Sequence, residues 1–504
     1  VSYYRRIGGD SKEKSSRVHV WLHEPACAQR RERRVVRNMS GFDEKLESIL
    51  SKAFSGFDKL LKAERLSGGA SQETYRLNVE IDGNEKVLAM RRSAGGEFLD
   101  PAPGHPGLAA EAQLMRSALQ AGVPEPEIYY VLDREDDLGD GFVMEWLDGI
   151  TLGAKVVRDP ELDEIRPTLA RKSGEVLAKI HAIDLEETGL TRYLDAITPA
   201  EYVEQTWARY RDFETAQPMI DYTGRWLVDN LPGDYSPSLV HNDFRNGNIM
   251  FDQQGIVAVL DWEVAHIGDP MRDLGWICTN SWRFGRSDLP VGGFGDYEDL
   301  FAGYESVSGK EVDRDRVRWW EVFGSFWWAI GCLGMAEHYR TGPDKTVERP
   351  AIGRRSSECQ VDCVNLLIPG NVELIATETE HGSNEMPRME ELLVSVRDFL
   401  REEVMQETQG RTNFLARVAS NSLDIAIREQ VMGSRLQEGE VRRLNKVVHG
   451  DGTLDELRWK LVKDIRSQAI ELDAPGLEDY LRFTVVNQVA IDQPKYSGLK
   501  TAIS

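Results

Sequence analysis

Residues 239–248 (LVHNDFRNGN) and 259–263 (VLDWE) form the most informative part of the chain. The first stretch contains the pattern H-x-D-x-x-x-x-N, with Asp243 and Asn248 at its last two fixed positions. Apolar residues and a polar turn between the two stretches predict a short β-hairpin. Such a hairpin returns Asp261 to the neighbourhood of Asn248, so we expect the three polar side chains to converge.

These residue types suit the transfer of a phosphoryl group from ATP. A carboxylate must meet the acceptor hydroxyl, while an amide and a second carboxylate hold the metal ion that neutralises the phosphates. The sequence therefore predicts Asp243 as the catalytic residue, and Asn248 and Asp261 as ligands of Mg²⁺, which prefers oxygen donors. A buried polar network at a strand end is the alternative interpretation of the same residues.

Neighbouring polar residues are expected to support this loop. His241 is predicted to brace it by hydrogen bonds, and Asp269 and Asp273 to tie it to the next helix through backbone N–H groups. Glu263 fits either the metal shell or a salt bridge.

A loop upstream, between two predicted strands, fits the binding of nucleotide phosphates. Its glycines allow backbone N–H groups to approach a phosphate closely, and its serine hydroxyls add donors, although a simple turn has the same pattern. The candidate residues for nucleotide binding in this loop are Ser67, Gly68, Gly69 and Ser71.

Four residues further along complete the candidate nucleotide site. Arg91 ends the next predicted strand, where a cation would reach the α- and β-phosphates, and Glu111 lies on the following helix, where it would clamp that cation. A solvated surface charge is the alternative interpretation of both. Glu145 and Leu147 belong to the connector whose backbone would hold adenine.

The composition argues against several classes of partner. The 504 residues are 41% hydrophobic and 29% charged, with a net charge of -23 and a pI near 5.0. This acidity argues against nucleic acid and against an anionic membrane. Apolar runs are too short to cross a membrane, a secretory signal is lacking, and five scattered cysteines predict no disulfide framework. We therefore expect a cytoplasmic location.

The predicted fold class is α+β, with a small antiparallel-sheet N-lobe, a mostly helical C-lobe and an all-α bundle. Residues 1–38 carry ten basic and four acidic side chains, a net +6. They fit a targeting tail or, as we favour, a disordered upstream extension before a native start at Met39. The other predicted boundaries are 39–148 for the N-lobe, 149–370 for the C-lobe, 371–388 for a linker and 389–504 for the bundle.

Periodicity gives the individual elements. In the N-lobe we predict a helix at Phe42–Leu61 and another at Leu108–Gln120, with strands near Leu61–Leu66, Thr74–Ile81, Lys86–Arg92, Ile128–Leu132 and Gly141–Glu145. In the bundle we predict helices near 392–404, 414–425, 441–447, 454–470 and 477–491.

The chain resembles the aminoglycoside phosphotransferase family over about Phe57 to Leu367. The resemblance is specific at HNDFRNGN and LDWE, and moderate at LSGGASQETY, FVMEWLDG and GDPMRDLGW. Within the family the chain looks most similar to the branch that contains the kinase-like half of certain fused acyl-CoA dehydrogenases. This implies a two-lobed, protein-kinase-like fold with ATP and Mg²⁺ as cofactors.

The resemblance also implies residue roles. Asp243 would be catalytic, Asn248 and Asp261 would bind metal, and the 66–71 loop with Glu145–Leu147 would bind nucleotide. The C-terminal region looks like a helical domain of unknown function that accompanies such kinases, and it is a candidate surface for a protein partner or for self-association.

One departure from the family bears on the nucleotide site. Arg91 stands where the family more usually has lysine, and arginine is bulkier, permanently charged and bidentate. This changes the expected phosphate geometry but not the reaction class.

The acceptor is expected to be a small-molecule hydroxyl. Most aromatic residues of the helical lobe should be core, but some would give an apolar acceptor pocket, unlike the acidic cleft that a polycationic aminoglycoside needs. This favours a hydroxyacyl or hydroxyacyl-CoA substrate. The alternatives are a nucleotide-binding pseudokinase scaffold that recruits partners through the bundle, and an aminoglycoside antibiotic phosphotransferase. The aromatic residues are Trp276, Trp282, Trp319, Trp320, Phe323, Phe326, Trp327 and Trp328.

Overall fold

The computed structural model describes residues 41–66, 72–98, 104–377 and 386–504. The extension predicted at 1–38 and the phosphate-loop candidates Ser67, Gly68, Gly69 and Ser71 lie outside the described residues. Among the described helices, none has the length and apolar character needed to cross a membrane.

A five-stranded antiparallel sheet with two helices forms the first lobe. Its elements are α1 (Gly41–Ala53), β1 (Phe57–Arg65), β2 (Gln72–Ile81), β3 (Asn84–Ser93), α2 (Leu108–Gln120), β4 (Ile128–Val131) and β5 (Gly141–Glu145). The strand order is β1-β2-β3-β5-β4. Leu46, Ile49 and Leu50 of α1 belong to the same buried cluster as Leu77 and Val79 of β2, so α1 covers the sheet.

The helix predicted at Phe42–Leu61 is wrong in length. It ends at Ala53, and the chain is extended from Phe57 onward. Gly56 lies at the break, where its C=O accepts a hydrogen bond from the Asp82 N–H at 2.8 Å. A Cβ on Gly56 would lie only 2.1 Å from Asp82 Oδ1. A larger residue at position 56 would displace the Asp82 side chain from this close contact with the β2–β3 turn.

The second lobe is mostly helical and contains two small two-stranded sheets, β6 with β9 and β7 with β8. The α+β class predicted from the sequence is confirmed. The elements are α3 (Gly153–Val156), α4 (Leu169–His181), α5 (Pro199–Arg211), α6 (Pro218–Asp229), β6 (Ser238–Val240), β7 (Ile249–Asp252), β8 (Gly255–Val259), β9 (His266–Gly268), α7 (Met271–Cys278), α8 (Tyr297–Ser308), α9 (Arg314–Thr341), α10 (Glu348–Arg354) and α11 (Ser356–Leu367).

The C-terminal region is also helical. Two of the predicted helices, 414–425 and 441–447, are parts of one 39-residue helix. Gly439 lies inside it, where a Cβ would come within 2.4 Å of the Phe483 ring. The glycine thus serves helix packing and does not break the helix. The elements are α12 (Met389–Phe399), a π-helical segment (Leu400–Val404), α13 (Met405–Glu407), α14 (Gly410–Val448), α15 (Leu454–Arg466), α16 (Leu477–Asp492) and α17 (Ser497–Ile503).

The last helices share a hydrophobic core with the second lobe. Met219 and Tyr222 of α6 and Val364 of α11 belong to one buried cluster with Leu461 of α15 and Tyr480 of α16. This packing joins the two regions through apolar contacts and not through the chain connection alone.

A buried ion pair reinforces this contact. Asp221 of α6 is fully buried and accepts hydrogen bonds from Trp207 Nε1 at 2.9 Å and from the Tyr210 hydroxyl at 3.0 Å. Arg466, at the end of α15, donates to the same carboxylate from Nε at 2.6 Å and Nη2 at 3.3 Å. Burial raises the pKa of Asp221, and the Arg466 guanidinium opposes that shift.

We predict that Arg466→Met lowers the free energy of unfolding by about 3 kcal/mol, because it leaves the Asp221 carboxylate buried without a cation. Urea unfolding followed by circular dichroism measures the change. Arg411→Met is the matched control, since Arg411 forms an exposed pair with Glu348 that should contribute less than about 1 kcal/mol. Equal losses in both variants would contradict the assignment.

Candidate active site

Asp243 lies in the loop that joins β6 to β7. Its Oδ1 accepts hydrogen bonds from Arg245 Nε at 2.9 Å and Trp276 Nε1 at 2.8 Å. Its Oδ2 accepts from Arg245 Nη2 at 3.0 Å and Asn248 Nδ2 at 2.6 Å. The side chain is 16% exposed. The carboxylate is therefore held in one direction while part of it still faces solvent.

The β7–β8 hairpin brings Asn248 close to the residue that precedes Asp261. The Leu260 N–H donates to the Asn248 C=O at 2.7 Å. Because Asn248 Nδ2 donates to Asp243, the Asn248 Oδ1 is left without a hydrogen-bond partner among the described residues. Asp261 has φ of 72°, which non-glycine residues seldom adopt and which the surrounding contacts must hold.

The buried Asp273 holds the start of the loop. Its carboxylate accepts the backbone N–H of His241 at 2.8 Å and that of Asn242 at 2.7 Å, and it pairs with His181 Nε2 at 3.1 Å. The predicted supporting role of Asp273 is confirmed. Asn242, whose φ is 69°, is further fixed by Arg272 Nε, which donates to its Oδ1 at 3.0 Å.

His241 braces the loop as predicted. Its ring is buried, with Nδ1 3.2 Å from the Asp243 N–H and Nε2 3.2 Å from the Leu260 C=O. The first contact makes Nδ1 an acceptor, so Nε2 carries the proton. Asp269 differs from the prediction, because it accepts hydrogen bonds from the Met271 N–H and from Trp320 Nε1 and makes none to the loop among the described residues.

Arg91 connects the two lobes. Its Nη2 lies 2.6 Å from Asp261 Oδ1 and 4.0 Å from Glu263 Oε2. Its Nη1 lies 2.8 Å from Glu111 Oε1, an ion pair that lacks the angle of a hydrogen bond. The structure thus places the predicted cation and its predicted partner on α2 together. It also shows a contact that the sequence did not predict, between Arg91 and the candidate metal ligand Asp261.

Two further contacts link the lobes at the same place. Gln72 of β2 accepts a hydrogen bond from Arg91 Nε and donates to Glu263 Oε2 at 3.4 Å. His105 Nδ1 lies 3.0 Å from the Glu263 C=O. Glu263 therefore serves a salt-bridge network in this structure.

Burial and neighbouring carboxylates disfavour the ionised forms of two acidic side chains in the cleft. Burial raises the pKa of Glu111 to about 7; Arg91 lowers it, whereas Asp261 and Glu263 raise it further. Burial also raises the pKa of Glu263, and the Asp261 carboxylate adds to that shift. One guanidinium thus faces three carboxylates.

The adenine connector lies at the junction of the lobes. Glu145 ends β5, pairs with Leu88 of β3, and donates its N–H to the Glu127 C=O at 2.8 Å. Leu147 follows two residues later and is partly buried. The nucleotide-binding role of Glu145 and Leu147 stays a prediction.

The sequence did not predict that Arg245 and Trp276 donate hydrogen bonds to Asp243. Arg245 is paired with Asp243, and its guanidinium lies 4.3 Å from the centre of the Trp282 ring. Trp276 donates to Asp243, and its ring centre lies 5.1 Å from those of Trp282 and Trp327. A cation two positions after the candidate catalytic aspartate is a signal that the motif itself contains. The aromatic contacts depend on the tertiary fold.

We predict that Glu111 makes stability depend on pH. Burial raises the pKa of Glu111 in the folded protein to about 7, above the unfolded value of about 4.3. The native state therefore binds more protons than the unfolded state between these pH values, and the wild type loses stability as the pH rises through them. The loss should total about 3 kcal/mol by pH 7.5. Urea unfolding at several pH values should show that Glu111→Gln lacks this loss, whereas Glu127→Gln, at an exposed position, retains it.

Comparisons with known proteins identify the family that the chain resembles. Residues 62–310 match the sequence model of the phosphotransferase enzyme family, and residues 406–496 match DUF6285, a domain of unknown function. The chain is 29% identical over 242 residues to acyl-CoA dehydrogenase family member 10 of Mus musculus, a match that covers 46% of this chain and 21% of the relative. It is 30% identical over 293 residues to acyl-CoA dehydrogenase family member 11 of Gallus gallus, covering 55% and 36%.

The chain thus spans between about a fifth and about a third of the length of these relatives. A candidate aminoglycoside phosphotransferase from Ralstonia eutropha, known from a crystal structure, aligns over 64% of this chain and 97% of its own, with 23% identity and a TM-score of 0.53. This likeness shows the two-lobed, kinase-like fold. The chain therefore belongs, through residues 62–310, to the phosphotransferase enzyme family.

Proposed function

We propose that the protein is an ATP- and Mg²⁺-dependent phosphotransferase that phosphorylates a hydroxyl group of a small molecule. The observation that carries the proposal is the position of Asn248, which donates a hydrogen bond to Asp243 at 2.6 Å and whose C=O accepts the N–H of Leu260, the residue before Asp261. Phosphoryl transfer needs positioning and charge stabilisation more than covalent chemistry from the protein, and these three side chains supply both.

Asp243 orients the acceptor hydroxyl. Each of its carboxylate oxygens already accepts two hydrogen bonds, so an incoming hydroxyl must displace one donor. Arg245 is the donor best able to move, because its planar guanidinium would find an equivalent partner in the transferred phosphoryl group. We infer that Arg245 exchanges the Asp243 carboxylate for phosphate oxygens when both substrates are bound.

Asn248 and Asp261 fit a magnesium site. Asn248 Oδ1 is free of hydrogen bonds within the described chain, and both side chains offer the oxygen donors that Mg²⁺ prefers. When bound, the ion neutralises charge on the phosphates. Arg91 would then leave Asp261 for the nucleotide phosphates, while Glu111 keeps its other guanidinium nitrogen in place.

The acceptor is proposed to be a hydroxyacyl compound, including a hydroxyacyl-CoA. Tryptophan rings flank Asp243, and the Arg245 cation lies against the Trp282 ring. An apolar wall with an arginine suits an acyl chain that carries an anionic group. A polycationic aminoglycoside would meet like charge there, which disfavours the antibiotic alternative. Similarity to proteins named acyl-CoA dehydrogenase family members supports the same substrate class.

The pseudokinase scaffold is the second candidate. Two features favour the scaffold: Arg91 in place of lysine, and its pairing with Asp261. In this pair Arg91 binds the Asp261 carboxylate that a metal ion would need. The complete set of Asp243, Asn248 and Asp261 favours the enzyme.

An assay of phosphoryl transfer decides between the two candidates. The protein is incubated with labelled ATP, Mg²⁺ and a panel of hydroxyacyl-CoAs, hydroxy acids, amino sugars and aminoglycosides, and products are detected by mass spectrometry. Tight Mg·ATP binding without any product would support the scaffold.

We predict that Asp243→Asn lowers kcat by roughly a thousandfold while ATP affinity changes little, because the carboxylate acts on the acceptor and not on the nucleotide. Product formation gives kcat, and isothermal titration calorimetry gives the affinity. Asp252→Asn, on the β7–β8 turn, is the control and should keep wild-type activity. Parallel loss of ATP binding in a folded Asp243→Asn protein would contradict this role.

We predict that Asp261→Ala weakens nucleotide binding at least tenfold in the presence of Mg²⁺, because it removes a charged metal ligand. Calorimetry with and without Mg²⁺ separates the effects. The variant should lose the Mg²⁺-dependent part of the ATP affinity, and an unchanged dependence on Mg²⁺ would rule out Asp261 as a ligand.

A further inference from the structure

Helix α12 exposes a row of apolar side chains. Met389, Leu392, Val396 and Phe399 are 52, 49, 51 and 51% exposed, and no residue of α12 is buried. Their spacing of three, four and three residues places them on one face of the helix. None of the four belongs to the hydrophobic clusters found among the described residues.

The ion pairs on the other side of the helix fix this orientation. Arg397 Nη1 lies 3.2 Å from Asp424 Oδ1, and Arg401 Nη2 lies 2.5 Å from Asp424 Oδ2 on α14. The side of α12 that carries Arg397 therefore faces α14, and the apolar row faces away from it. Met386, three residues before α12, is 96% exposed and enlarges the apolar surface.

We propose that a second copy of this chain covers the row. In the resulting homodimer α12 of each subunit packs antiparallel against α12 of the other about a two-fold axis. This assignment does not depend on the catalytic function proposed above.

The four positions of the row are arranged symmetrically about Val394 in the sequence. Met389 and Phe399 are each five positions from Val394, and Leu392 and Val396 are each two positions from it. Antiparallel pairing centred there places Met389 against Phe399 of the partner subunit and Leu392 against Val396 of the partner subunit. Both copies then make the same contacts, which is the condition for an isologous dimer. The row contains no charged residue that the pairing would bury.

The available area suffices for a stable dimer. The four half-exposed side chains of the row offer about 100 Å² each, and the almost fully exposed Met386 offers about 200 Å², so together they provide roughly 600 Å² per subunit. Two subunits would bury roughly 1,200 Å², which reaches the range of specific interfaces. The nearby sequence ETEHGSNE at 378–385 has no apolar side chain that could pack against the row.

Sedimentation velocity of the full chain across the micromolar range tests the proposal. The wild type should sediment with twice the 57.0 kDa mass of one chain. The double variant Leu392→Glu, Val396→Glu should be monomeric with unchanged circular dichroism, because both side chains are already half exposed in one subunit. Val307→Glu is the matched control, since Val307 is a 45% exposed residue on α8, and it should stay dimeric.

The direction of packing has a separate test. In a Cys27→Ser background the remaining four cysteines are buried. An oxidised mixture of Met389→Cys and Phe399→Cys proteins should form a covalent dimer that neither variant forms well alone. A monomeric wild type, a dimer that survives both glutamates, or cross-linking that is equally strong in the single variants would each overturn the proposal.

Discussion

The hydrogen bonds from the His241 and Asn242 N–H groups to the buried Asp273 carboxylate fix the loop that carries Asp243. They stabilise the left-handed conformation of Asn242, which few residue types other than glycine adopt readily. The direction of the Asp243 carboxylate follows from that conformation. The contact of Asn248 with Asp243, and through the hairpin the position of Asp261, depend on it in turn.

A second constraint is the charge of the cleft. The guanidinium of Arg91 faces the carboxylates of Glu111, Asp261 and Glu263, so negative charge is in excess. Such an excess favours a divalent cation and disfavours bare phosphate groups, which fits a nucleotide that arrives with its metal ion. The same Arg91 contacts bridge β3 to the second lobe, so charge balance and lobe closure are linked.

Local patterns predicted the local structure well. The bounds of α2 and β5 agree with the sequence prediction, because an amphipathic period and turn residues mark both ends. The pairing of Arg91 with Asp261 joins residues 170 positions apart, and sequence spacing contains no signal for it. The sequence predicted two separate helices, 414–425 and 441–447, where the structure has one, and the packing of Gly439 against the Phe483 ring is visible only in the fold. Motifs predicted the site residues and the Arg91–Glu111 pair, whereas the contacts of Asp243 with Arg245 and Trp276 were not predicted.

The shared core between the second lobe and the last helices limits how this protein relates to shorter ones. Met219, Tyr222, Val361 and Val364 face the C-terminal helices and would otherwise meet water. A phosphotransferase that lacks those helices must therefore carry polar residues at the corresponding positions or cover them with another partner. The identities of residues on α6 and α11 thus record whether a given family member evolved with this C-terminal region attached.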